Sequence, residues 1–282
     1  MAYSTRPTIR SSLLGRKLKL ARQSAGLTVE EVAQKMGTSP ASIYRQESGH
    51  TAVKIAAVAY FAKLYEVADE AERARWEEWA RNSKKHGWWS DYGTAVGPTP
   101  VDYADAEDMA TELRTWEPQV VPGLLQTKEY SEVIIQAVSE AHPGGLPMDG
   151  LAAVREQRKK ILYREEPPRV WAVIGEAALL TLSGGREVMR AQWTHLLDLS
   201  ERAHVTLQIL PFDSGAHPGV GGSFVLMSFG EDDIMFRESS TTGVFNDDSA
   251  EVAVTRTMYG LLQAQALSTQ ASQAYLRGLL AK

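Results

Sequence analysis

The sequence predicts an all-α helix-turn-helix domain followed by an α+β domain with a small mixed sheet. Three observations carry that expectation. Residues 27–49, LTVEEVAQKMGTSPASIYRQESG, hold two chemically marked helix starts with a very short turn between them. Helical periodicity flanks that segment on both sides. Beyond the middle of the chain the pattern changes to short β-rich runs, RVWAVIG (169–175), VTLQILPF (205–212), GSFVLMSF (222–229) and DIMFRESS (233–240).

The N-terminal elements follow from local chemistry. Thr28 precedes Glu31 by three positions, a capping box in which the hydroxyl takes a first-turn amide and the carboxylate reaches back to the Thr28 amide. Ser39-Pro40 marks the second start, because serine accepts from first-turn amides and proline at the first helical position forfeits a donor that had no partner. Gly37 stands after Met36, where a chain leaving a helix often needs a left-handed residue. Val32, Ala33 and Met36 share one face of the first helix, and Ile43 is the inward residue of the second. Leu14, Leu18 and Ala21 upstream, and Ile55, Val58, Phe61 and Leu64 downstream, recur at helical spacing, so four or five short helices around one core are expected. The tight turn is the spacing of a DNA reader.

Charge supports that partner. The chain as a whole is acidic, with a formal net charge of −5. Residues 1–65 carry ten Lys and Arg against Glu30, Glu31 and Glu47, a net of +7, which leaves −12 for the remainder. A basic head on an acidic body is the asymmetry expected when only the head meets phosphate.

Composition bounds the other classes. A chain of 282 residues with 44% hydrophobic content has room for two ordinary cores. With no cysteine, disulfides and thiolate metal sites are excluded. His195 and His204 do not have the i, i+4 spacing of a helical metal site, and neither a metal nor a cofactor is expected. MAYSTRPTIRSSLLG lacks the apolar stretch of a signal peptide, and the longest apolar run, Ile55 to Ala62, is too short to span a bilayer. A cytoplasmic protein without membrane contact is the expectation.

The motif itself, LARQSAGLTVEEVAQKMGTSPASIYRQESG, resembles the DNA-binding domain of xenobiotic-response-element (XRE) type regulators, the group that includes the lambdoid phage repressors. The resemblance covers residues 10–66. It implies a buried ion pair between Arg22 on the first helix and Glu47 at the end of the recognition helix. The family's base-reading positions fall on Pro40, Ala41 and Arg45. This departs from the glutamines favoured in the phage proteins, since proline cannot read a base edge by hydrogen bond. Arg45 is the expected reader of a guanine O6/N7 edge, with Ala41 available for a thymine methyl. Thr28, Ser39, Ser42 and Tyr44, with Lys17 and Lys35, are expected at phosphates; for Tyr44 a partly buried ring is the alternative. Such heads read two half-sites about 34 Å apart, so a homodimer on a two-fold operator in double-stranded DNA is expected.

Residues 67–100 read as a connector. EVADEAERARWEEWARNSKK is charged and helical with Trp76 and Trp79 on one face, and Trp88 and Trp89 follow. Tryptophan is costly to leave in water, so this stretch is expected to dock, on a domain or on a second chain. Gly-Pro-Thr-Pro at 97–100 marks a boundary.

Residues 101–282 form the second domain. Helices are expected up to Trp116, from Leu124 to Ser139 and from Leu151 to Arg164. A helix from Arg186 to Ala203 separates the first two β runs as a crossover, and two more close the chain from Ala250 to Leu267 and from Gln270 to Leu280.

WEPQVVPGLLQTKEY, EQRKKILYREEPPRVWAVIGEAAL and VTLQILPFDSGAHPGVGGSF are similar to the C-terminal domain of actinomycete regulators of the WhiJ-like kind, a domain described as antitoxin-like. That resemblance implies a transcription factor of developmental or antibiotic control whose activity is set by a small protein encoded nearby. Trp116, Pro122, Gly123, Leu125, Gln126, Glu176 and His217 are its signature positions. Trp116, Leu125, Gln126, Glu176 and His217 are the candidates for binding a partner or ligand, with helix capping the alternative for Glu176.

Catalysis is not expected. Asp213, Ser214 and His217 fall within five residues, whereas a Ser-His-Asp triad usually draws its groups from separate elements. The glycines of FDSGAHPGVGG lack the lysine and spacing of a phosphate loop. Three readings of the body remain open: a regulatory domain switched by a small protein, an antitoxin-like module that neutralises a small partner and autoregulates, and a small-molecule sensor.

Overall fold

The structure is a computed structural model that describes residues 7–83, 88, 92, 98–142, 144–238 and 243–281. It divides into two compact units, Met1–Trp88 and Trp89–Lys282. A helical head and a mixed-sheet body match the expected fold class.

The first unit contains α1 (Ile9–Ser24), α2 (Val29–Met36), α3 (Pro40–Glu47), α4 (Ile55–Leu64) and α5 (Glu70–Asn82). The caps are those the residues dictate. Thr28 and Glu31 form the reciprocal capping box, and Gly37 adopts φ 63° at the end of α2. Ser39 Oγ accepts from the Ser42 amide at the start of α3. Leu14, Leu18, Val32, Ile43, Val58 and Phe61 are almost wholly buried and form the core. Ile55 departs from its expected inward position: it occupies the first turn of α4 and is exposed.

Helix α5 begins the segment expected as a connector, and it packs against α1 and α4. Trp76 and Trp79 are both buried, and the Trp76 indole N–H donates to Glu72 at 3.0 Å. Two aromatic side chains hold this helix to the first unit. Trp89 and Gly97 lie outside the described residues.

The second unit is built on a six-stranded sheet in the order β3-β2-β1-β4-β5-β6, with β1 Glu112–Glu117, β2 Arg169–Gly175, β3 Val205–Leu210, β4 Phe224–Phe229, β5 Asp232–Glu238 and β6 Gly243–Asn246. The pairs β1·β2 and β2·β3 are parallel, whereas β1·β4, β4·β5 and β5·β6 are antiparallel. Strand β1 is therefore the seam between the two halves. The helices are α6 (Pro98–Met109), α7 (Lys128–Glu140), α8 (Met148–Arg158), α9 (Glu176–Leu180), α10 (Arg186–Ser200), α11 (Ser249–Gln265) and α12 (Thr269–Leu280). The chain passes from β1 to β2 through α7 and α8, and from β2 to β3 through α9 and α10, as parallel neighbours require.

Strand β1 corrects the expectation of a helix running to Trp116. Helix α6 stops at Met109, and ELRTWE lies in the sheet. Three of its six residues are charged, which hides the strand in the sequence. The tertiary structure accommodates them: Glu112 forms ion pairs with Arg114 and with Arg169, the latter at 2.7 Å. Strand β6, only four residues long, was not foreseen.

Trp116 faces one side of the sheet, with Val173, Leu210, Phe224 and Leu226, and α11 covers this layer through Val252, Tyr259 and Leu262. The Tyr259 hydroxyl donates to the Trp171 carbonyl at 2.6 Å, which fixes α11 to β2. Alternation along β1 turns Glu117 away from this layer.

Candidate DNA interface

Helix α3 is held from behind and open in front. Behind it, the Arg22 guanidinium meets the Glu47 carboxylate through two bonds, Nε to Oε1 at 2.6 Å and Nη2 to Oε2 at 3.0 Å. A third bond runs from Arg22 Nη1 to the Leu27 carbonyl at 2.8 Å, so one side chain joins α1, the α1–α2 turn and the end of α3. Both partners are buried, at 8% exposure each. The geometry is the bidentate fork that suits guanidinium and carboxylate.

Gly15 on α1 is a second fastening, one that sequence reasoning missed. A Cβ at this position would lie 2.5 Å from the Gln46 carbonyl oxygen and 2.6 Å from that of Glu47. The absence of a side chain is what brings α1 onto the last turn of α3.

The outward surface of α3 carries Pro40, Ala41, Tyr44 and Arg45, all exposed. Arg45 makes no side-chain hydrogen bond or ion pair among the described residues. Tyr44 is 56% exposed, so its ring is not part of the core. Ser39 and Ser42 stand at the start of α3, with Ser42 half-buried and its amide bound by Ser39 Oγ at 3.2 Å.

Two expected phosphate ligands are placed differently. Lys17 Nζ lies 3.0 Å from Glu72 on α5, with 16% of its side chain exposed, so it is a structural ion pair of the helical core rather than a free clamp. Its partner stands on a helix that reads as part of the connector, so the pairing is not visible from the residues around Lys17. The Thr28 hydroxyl is engaged by Glu31 at 2.9 Å, and the same carboxylate accepts from the Thr28 amide at 2.7 Å. These bonds hold the Glu31 carboxyl below its usual range and set a negative charge beside Thr28. Lys35 remains exposed in the last turn of α2, where the Tyr60 hydroxyl bonds its carbonyl at 2.9 Å.

In the second unit the five expected partner or ligand positions are mostly structural. Trp116 is 1% exposed, and its indole N–H donates to the Gly219 carbonyl at 3.0 Å. The His217 ring packs edge-on against that indole with centroids 5.3 Å apart, and His217 Nδ1 accepts from the Gly219 amide. A Cβ on Gly219 would come within 2.4 Å of the indole nitrogen, so the glycine-rich loop is shaped to lie on Trp116. Leu125 is fully buried. Gln192, unremarked in the sequence, bonds the Leu125 carbonyl and the Thr127 amide at 2.8 Å each.

Glu176 neither caps its helix nor stands free. Its two oxygens accept from the Phe212 amide at 2.7 Å and from the Tyr275 hydroxyl at 2.5 Å, which ties the start of α9 to α12 and to the exit of β3. Gln126 lines a cavity. Its amide donates to the Val121 carbonyl at 2.7 Å and its oxygen accepts from Arg155 at 3.1 Å. Among the described residues no hydrogen bond joins Asp213, Ser214 and His217, and no group of His, Asp and Glu is placed to hold a metal. No described helix is long and apolar enough to cross a membrane.

A bidentate-locked helix with a solvent-facing arginine, presented by a capped two-helix unit, defines a helix-turn-helix DNA-binding domain. Residues 13–76 match the helix-turn-helix domain family, a span that extends into α5. Residues 101–278 match the family described as a domain of unknown function, DUF5753, and the chain belongs to that family. No curated protein and no solved structure matches the chain.

Proposed function

We propose that this protein is a sequence-specific transcriptional regulator of the XRE type that binds a two-fold operator as a homodimer. The observation that carries this reading is the exposed face of α3, where Arg45 has no partner among the described residues while the buried Arg22–Glu47 pair fixes the helix behind it. The net charge of +7 on residues 1–65 supports phosphate contact. In this reading the acidic second unit receives a signal and is not an enzyme. The WhiJ-like resemblance makes the source of that signal a small protein encoded nearby.

Selection of bound duplexes from a random pool tests the proposal. Enrichment of paired half-sites about 34 Å apart is expected. On the selected operator, Arg45→Ala should lose about 1–3 kcal/mol of discrimination at one base position per half-site. Lys35→Ala should instead weaken all duplexes alike and reduce the salt slope by about 1. A uniform loss from Arg45→Ala would make that residue a backbone clamp. Failure to enrich any sequence would remove the proposal.

A further inference from the structure

The face of the sheet opposite Trp116 holds a cavity of about 160 Å³ lined by residues of the second unit, between the sheet, α6, α7, α8 and the 118–126 segment. Its walls are apolar where Val121, Ile134, Leu151 and Phe236 line it. A cavity of about 150 Å³ is large enough to hold benzene, so the volume here admits one six-membered ring.

The charged groups in this space are unevenly satisfied. Arg158 is neutralised by the buried Glu107 through two bonds of 2.6 and 2.8 Å, and its guanidinium lies over the Tyr103 ring. Arg155 is held by Gln126. Glu117, at the end of β1, lines the cavity and accepts no hydrogen bond and forms no ion pair among the described residues. Glu238 lies exposed at the cavity edge. With Arg158 cancelled by Glu107, the carboxyls of Glu117 and Glu238 face one remaining guanidinium, that of Arg155, so an ionised Glu117 has no cation of its own.

We propose that this cavity is a binding site for a small organic amine, its ammonium paired with Glu117 and its single-ring apolar body between Val121, Leu151 and Phe236. An ammonium supplies the donors that Glu117 lacks and relieves its repulsion from Glu238. Arg155 offers remaining donors to an acceptor on the same ligand. A carboxylate withdrawn from water needs a partner of opposite sign, so an unpartnered carboxyl lining the cavity favours a cationic ligand.

The site has a pH signature. Burial, reinforced by Glu238 and opposed by Arg155, pushes the Glu117 carboxyl up to about 8. Tyr103, Tyr130 and Arg158 are the other titratable groups near it. Below that pH the carboxyl holds a proton that an ammonium must displace. Affinity should therefore rise by roughly tenfold per pH unit from pH 6 towards 8, then level off.

The test is a titration of the full chain, followed by NMR, with 2-phenylethylamine, 2-phenylethanol and phenylacetate at concentrations up to about 10 mM. The amine is expected to bind at least about tenfold more tightly than the alcohol or the acid at pH 8. Glu117→Gln should abolish that preference and its pH dependence. The comparison of the three probes on the unaltered chain decides the matter even if the variant does not fold. Equal binding of amine and alcohol, preference for the acid, no binding of the amine, or an unchanged preference in Glu117→Gln would each overturn the proposal. The outcome is independent of DNA binding.

Discussion

Glu47→Ala should unfold the first unit under conditions where the unaltered chain is fully folded. The substitution leaves Arg22 buried without its carboxylate, and breaking such a pair costs about 3–5 kcal/mol. Domains are stable by only about 5–15 kcal/mol, so this loss removes a large part of what a small head possesses. Arg22→Ala should cost as much, because it strands Glu47 and also frees the Leu27 carbonyl. Replacing both residues by apolar ones of similar volume should cost far less than either single change, since the penalty lies in the unpaired charge. Denaturant titration of the three variants and the unaltered chain, read from the helical signal of the first unit, checks this. Single and double variants of equal stability would show that the pair contributes packing alone. The second unit should keep its own transition, because it has its own core.

Gly15→Ala is expected to destabilise the same unit, against the usual sign for such a change. Alanine in a helix interior is favoured over glycine by about 1 kcal/mol. Here the added methyl would sit 2.5 Å from the Gln46 carbonyl oxygen and 2.8 Å from the Glu47 carbonyl carbon. Those atoms belong to backbone and cannot step aside as a flexible side chain would. Overpacking of this kind costs typically 1–3 kcal/mol and occasionally more, so the steric effect wins and a net loss of about 1 kcal/mol is expected. Because the displaced atoms end the recognition helix, DNA affinity should fall further than the folded fraction alone requires. Operator binding measured at a temperature where the variant is fully folded separates the two effects. A variant more stable than the parent would mean that α1 and α3 are not in contact there.

What was legible in the sequence was local. Thr28, Glu31, Ser39, Pro40 and Gly37 act within a few residues of themselves, and their roles at the ends of α2 and α3 follow from chemistry alone. The β-rich runs that became β2 to β5 were equally plain, because each carries a stretch of apolar residues. Distant partners were not legible. Lys17 reads as a surface cation until α5 brings Glu72 to it. Strand β1 reads as helix because its charges are satisfied by pairing, and Arg169 is far away in the chain.

The candidate site in the second unit was obscured by the same non-local logic. The resemblance drew attention to Trp116, which proved to be the anchor for the glycine-rich loop. Its neighbour Glu117, turned by strand alternation to the other face, carries the unpaired carboxylate of the cavity. No periodicity in ELRTWE marks that difference, since both faces of β1 are covered. Arg155 and Gln126 stand on separate elements and meet only in the fold.

The most direct test of the central claim, that α3 lies in the major groove with Arg45 on a guanine, is methylation interference on a selected operator. Guanine N7 is exposed in the major groove and adenine N3 in the minor groove. Methylation at N7 of one guanine in each half-site is expected to block the unaltered protein and to leave Arg45→Ala indifferent at that position. Interference confined to adenine N3, or an identical N7 pattern for both proteins, would contradict the account.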